Sequence, residues 1–180
     1  MFKKGDQEKI PFNVNGLIEE VLAFVAGDLR RRGISVDTRL GTGLPEITAN
    51  RVQLQQVLLN LIANAVDAMV SVTNRDRVLK VTSATQYPSS VLITIEDSGP
   101  GVESENIERI FEPFYTTKSG GTGMGLSICR SIVQEHGGRL FATPGHSCGL
   151  AMQISLPTSA IDAAPKVGAG VANAVSSHFS

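Results

Sequence analysis

The 180-residue chain weighs 19.1 kDa, enough for one domain at about 100–200 residues each and enough to bury a core without disulfides or metals. Hydrophobic residues at 42% and charged residues at 18% exclude a largely disordered chain. Sixteen basic against 17 acidic residues, with no Trp and 5% aromatics, exclude the basic, base-stacking surface of a dedicated nucleic-acid binder.

The first nine residues are polar and lysine-containing, with no hydrophobic stretch behind them. They are expected to be a disordered leader, not a signal peptide. Asn13–Arg32 carries Val14, Leu17, Ile18, Val21, Leu22, Val25 and Leu29 at three- and four-residue steps, which predicts an amphipathic helix. Arg30, Arg31 and Arg32 suit its C-terminal dipole end, and Gly33 stops it. Ile34–Leu40 alternates as a strand and Gly41–Pro45 is a loop. Asn50–Val70 has the broadest apolar stripe and is the strongest helix. Val78–Thr85 and Val91–Asp97 read as strands joined by a turn at Tyr87–Ser90. A long glycine-containing segment, Ser98–Gly121, holds one short helical candidate at Glu105–Phe111. So long a connection points to a functional loop. Thr122–His136 is a third helix, stopped by Gly137-Gly138, and Arg139–Ala142 with Leu150–Leu156 makes a final hairpin. From residue 158 the chain becomes small and aperiodic, and 158–180 is expected to be a disordered tail. Three helices and about five strands predict an α+β fold of two layers, helices on one face of a mixed sheet. No apolar run approaches the roughly 18 residues of a membrane helix. Cys129 and Cys148 have no CxxC spacing and read as reduced thiols, so a cytoplasmic location is expected.

Three constellations carry chemistry. Asn60 and Asn64 lie four apart on one helix face, with Asp67 three beyond. They either sit at the edge of the apolar stripe, bonded to water or loops, or supply an amide oxygen to a hard cation such as Mg²⁺. The strand pleat puts Asp97 on the same face as Val91, Ile93 and Ile95. It is either a turn aspartate or an acceptor for a donor group on a ligand held against that apolar face. Gly120-Gly121-Thr122-Gly123-Met124-Gly125 opens the third helix and is either a linker or an anion site at a helix N-terminus. Its spacing matches neither the P-loop nor the dinucleotide fingerprint. Lys118 stands just before it, solvated or facing phosphate.

Together these segments resemble the catalytic, ATP-binding domain of bacterial sensor histidine kinases, within the wider GHKL ATPase group. Gln53–Met69 resembles the N box, Asp97–Val102 the G1 box, Ile110–Lys118 the F box and Gly121–Cys129 the G2 box. The four occur in family order and the resemblance covers about residues 10–157, the expected domain. It implies the two-layer α/β sandwich of the Bergerat fold, with ATP between helices and a lid. It implies Mg²⁺ on Asn64, supported by Asn60, and the adenine amino group on Asp97. Gly99 and Gly101 would shape the base pocket. Phe111 and Phe114 would anchor the lid. Lys118 would meet phosphate, Gly121, Gly123 and Gly125 would give the lid its hinge and its phosphate contacts, and Thr122, Met124 and Leu126 would also bind the nucleotide.

Two departures sharpen the resemblance. Relatives that hydrolyse ATP or phosphorylate serine usually carry a glutamate base where this chain has Asn60, and an amide cannot serve as that base. Many histidine kinases carry Lys or Arg where this chain has Asp67; the acid shifts charge neutralisation to Lys118 or contacts the outer shell of the metal. His136, His146 and His178 lack the family's histidine-box context, and His136 reads as a structural position at a helix end. The expected activity is therefore protein-histidine kinase. ATP and Mg²⁺ bind, and the γ-phosphoryl group goes to a histidine on a separate dimerising helical hairpin domain. A response regulator acts downstream. The chain is expected to be an excised catalytic domain, monomeric alone, with no nucleic-acid or membrane contact of its own. Two other readings stand beside it: a self-standing serine kinase or ATPase of the same fold, and a nucleotide-sensing module without chemistry.

Overall fold

Asn50 caps helix α2 (Arg51–Met69), its side chain accepting from the Gln53 N–H at 3.0 Å. The expected stripe is buried from Leu54 through Met69. Helix α1 (Val14–Arg31) is capped the same way by Asn13 and buries Val14, Leu17, Ile18, Val21 and Leu29. The computed structural model describes residues 8–116 and 121–159. Nearly all of the expected leader and tail, together with Lys118 and Gly120, lie outside those residues.

The main sheet runs β2 (Ile34–Leu40), β4 (Arg77–Gln86), β5 (Ser90–Asp97), β7 (Leu150–Pro157), β6 (Arg139–Pro144). The β2–β4 pair is parallel and the other pairs are antiparallel, so the sheet is mixed, as expected. On β5, Val91, Ile93, Ile95 and Asp97 are buried, while the alternate residues are only partly covered. Helix α2 packs on α1, on β5 and on α3 (Gly125–Glu135), giving one helical layer on one sheet face. The opposite face presents Lys80, Thr82, Thr94, Glu96 and Gln153 around a shallow, open depression. This is the two-layer α/β sandwich.

Three local differences from expectation have physical causes. A second, two-stranded sheet pairs β1 (Ile10–Phe12) with β3 (Ile47–Ala49); three-residue strands are too short to show a period. Glu105–Phe111 is not one helix but two 3₁₀ turns, Ser104–Asn106 and Arg109–Phe111. Neither has a side-chain cap, and a single uncapped turn does not offset the cost of helix nucleation. Helix α3 starts at Gly125 instead of Thr122, because Gly123 lies at φ +68°, outside helical geometry.

The far end of α3 is tied to the start of α2. His136 is buried, its Nε2 accepting from the Asn50 N–H at 3.0 Å. That fixes the proton on Nδ1, which donates to the Ile132 carbonyl at 2.7 Å. Both ring nitrogens are occupied, in keeping with the structural role expected for this residue. Among the described residues no helix is long and apolar enough to cross a membrane.

Candidate nucleotide site

The mid-region of α2, the end of β5 and the start of α3 meet on one side of the helical layer. Asp97 is the last residue of β5 and is 6% exposed. Its Oδ1 accepts from the Gly99 N–H at 2.8 Å. Burial pushes its carboxyl above the usual range; hydrogen bonds from the Gly99 and Leu150 backbones pull the other way, and neighbouring Glu96 adds to the rise. Gly99 lies against Ala68 of α2, where an added Cβ would sit 3.1 Å from the Ala68 Cβ. Gly101 takes φ +80° beside the Gly149 backbone. Gly149, in the β6–β7 turn, itself lies against the Asp97 carbonyl, leaving no room for a side chain.

On α2, the Asn64 Nδ2 donates to the Asn60 Oδ1 at 3.0 Å. The amide nitrogen of Asn64 is thus engaged, and its oxygen is the group available to a ligand. Both residues are partly exposed, and Asp67 is exposed one turn further on. Gly125 brings the start of α3 against this pair. A Cβ there would lie 3.0 Å from Asn60 Nδ2 and 3.2 Å from its Oδ1, so a side chain would force helix and amide apart. No side chain caps the N-terminus of α3. Its first N–H groups therefore stand beside the asparagines as anion donors.

Phe114 and Gly123, on either side of the connection into α3, are joined by backbone. The Phe114 N–H donates to the Gly123 carbonyl at 2.9 Å, and both residues have positive φ, +69° and +68°. A Cβ on Gly123 would come 2.5 Å from the Phe114 carbonyl carbon. Phe114 is 73% exposed, so it meets Gly123 through its backbone. Phe111 is buried, with the Arg130 guanidinium 4.3 Å from its ring centroid and Arg130 paired to Glu108 at 3.1 Å. Gly121, Thr122 and Met124 are exposed, and Leu126 packs on the core.

Of the expected site residues, Asn60, Asn64 and Gly125 meet at the α2–α3 junction, Asp97 and Gly99 meet at the end of β5, and Lys118 lies outside the described residues. Sequence reading passed over Arg75, Arg130 and Gly149. Arg75 sits in a polar loop with no periodicity, and Gly149 is linked to Asp97 only through β-sheet pairing. Among the described residues no group of three His, Cys, Asp or Glu could hold a metal unaided. A cation here would take one amide oxygen from Asn64 and the rest of its ligands from phosphate and water, which suits Mg²⁺.

A family model described as "Histidine kinase-, DNA gyrase B-, and HSP90-like ATPase" matches residues 49–160. The catalytic domain of the histidine kinase ThkA superposes with a TM-score of 0.74 at 34% identity, covering 84% of this chain and 96% of that one. Full-length ShkA, solved in complex with AMPPNP, superposes at 0.73 with 27% identity, covering 83% of this chain and 31% of that one. The sensor protein TdiS of Thauera aromatica is 36% identical over 86% of this chain, and the sensor protein FixL of Bradyrhizobium diazoefficiens 36% identical over 87%. The chain belongs to this ATPase family, as a catalytic ATP-binding domain of the histidine-kinase type. It spans 28% of the length of TdiS and 30% of that of FixL.

Proposed function

We propose that the chain binds Mg·ATP in the cleft between Asp97 and the α2–α3 junction. It donates the γ-phosphoryl group to a histidine on a separate helical hairpin domain, in two-component signalling. The observation that carries this reading is the packing of Gly125 on Asn60, which puts an uncapped helix N-terminus beside Asn64. Asp97 would accept from the adenine amino group, Gly99 and Gly101 leaving room for the base. Asn64, oriented by Asn60, would ligate Mg²⁺, which when bound supplies charge neutralisation at the phosphates. Asp67 would stand in the outer shell of the metal. The backbone N–H groups of 125–127 and Lys118 would hold the triphosphate, with Gly121, Thr122, Gly123, Met124 and Leu126 along its path. Catalysis is then positioning plus charge stabilisation. The bond from the γ-phosphorus to the β–γ bridging oxygen breaks, a P–N bond forms on the acceptor imidazole, and ADP leaves.

Asn60 supplies no carboxylate base, which favours an imidazole acceptor over water or serine. His136 cannot be that acceptor, since both its ring nitrogens are engaged inside the fold. The acceptor domain and a response regulator are the partners this reading needs; ThkA has been solved in complex with the response regulator protein TrrA. A cytoplasmic, monomeric domain fits the same reading. The test is calorimetry with ATP and with ADP, with and without Mg²⁺, followed by addition of a histidine-bearing hairpin domain and γ-labelled ATP. Mg²⁺-dependent binding, negligible label on the chain and phosphohistidine on the hairpin are expected. Rapid hydrolysis by the chain alone, or near-stoichiometric phosphate on His136 or His146, would overturn it.

A further inference from the structure

Arg75 lies in the loop between α2 and β4 and is exposed. It reaches across to the loop after β5. Its Nε and Nη2 donate to the Ser98 carbonyl at 3.2 and 3.0 Å, and Nη2 also donates to the Gly99 carbonyl at 2.9 Å. The Ser98 carbonyl and the Gly99 N–H belong to one peptide group. That group is planar and trans, so its C=O and N–H point in opposite directions. Its oxygen is held by Arg75, and its N–H is the donor to Asp97 Oδ1 at 2.8 Å. Fixing one side of the plane therefore fixes the other.

We infer that Arg75 is a positioning residue for base recognition: through the Ser98–Gly99 peptide it sets the orientation of the Asp97 carboxylate. A guanidinium suits this task because its planar fork holds two neighbouring carbonyls in one fixed geometry, where the donors of an ammonium rotate freely. A cation on the carbonyl also polarises the peptide and strengthens its N–H as a donor. The Ser98 hydroxyl secures the same two loops independently, accepting from the Val78 N–H at 2.8 Å and donating to the Asp76 carbonyl at 3.1 Å. Loss of Arg75 therefore leaves the loops joined and leaves the Ser98 carbonyl with only a long contact to the Cys148 thiol, at 3.8 Å.

The inference rests on the reading of Asp97 as the adenine acceptor, and its test separates the two. ATP and inosine triphosphate share the triphosphate but differ at the exocyclic amino group. Their dissociation constants are measured by calorimetry on the full chain, for the parent, Arg75→Ala and Arg75→Lys, with circular dichroism to confirm folding. The parent is expected to prefer ATP. Arg75→Ala is expected to weaken ATP binding about tenfold and inosine triphosphate binding less than twofold, with part of the preference recovered in Arg75→Lys. A merely structural role would weaken both nucleotides alike. An unchanged ATP preference in Arg75→Ala, whether through equal losses or none, overturns the role of Arg75 alone. A parent without preference for ATP overturns the Asp97 reading and this inference with it.

Discussion

The two ends of the proposed nucleotide site, a base wall around Asp97 and a phosphate wall at the α2–α3 junction, are built in different ways. At the base end, Asp97 is buried and its loop is held by Ala68 below, Gly149 beside and Arg75 outside. At the phosphate end, only Ile107 and Phe111 are buried between residues 101 and 116, and none of residues 121–128 is. The first wall is fixed by close contacts in the folded domain. The second depends on a few backbone contacts, the regime in which local opening costs little free energy. A nucleotide would therefore meet a finished pocket for its base and a partly assembled one for its phosphates.

Breaking the phosphate wall at its ligand should have the largest effect. Asn64→Ala is expected to weaken Mg·ATP binding about a hundredfold and to abolish its Mg²⁺ dependence, read by calorimetry with and without chelator. Unchanged affinity would remove Asn64 from the site. At the base wall, Asp97→Asn is expected to cost about tenfold in ATP affinity while the domain stays folded. Its stability should diverge from the parent with pH. The Asp97 carboxyl is raised in the folded state from 3.8, so its contribution is fully present below that value and lost as pH rises through the folded value. Asn, still able to accept from Gly99, carries no such loss. The melting temperature of the variant relative to the parent should rise from about pH 4 upward, and a falling difference would contradict the burial effect.

Smaller effects sharpen the contrast. Gly123→Ala strains the Phe114–Gly123 contact by about 1–3 kcal/mol, since both φ and the Phe114 backbone oppose a Cβ. ATP affinity is expected to fall about fivefold and ADP affinity less, in the same titrations. Phe114→Ser should change either affinity by less than about twofold, because the exposed ring secures little. A tenfold loss there would show that the ring, not the backbone, anchors the segment.

The part of this contrast that was legible in sequence is the part with a period. The stripe of α2 located Asn60 and Asn64, and the pleat of β5 put Asp97 on the buried face. The four motif segments then gave the family. What escaped lies in contacts between distant loops: Arg75 on the Ser98–Gly99 carbonyls, Gly149 on Asp97, and the β1–β3 pair. The late start of α3 escaped for a different reason. Glycine permits a helical first turn and a left-handed residue equally well, and only the backbone contact with Phe114 decides between them.

The bond between His136 and Asn50 gives α3 a mechanical character. β3 runs directly into Asn50, Asn50 is fastened to one tip of α3, and the other tip rests on Asn60. The helix spans these points as a strut. Because α2 itself runs from Asn50 to Asn60 and α3 also packs on β6, the two helices brace one another as a closed frame.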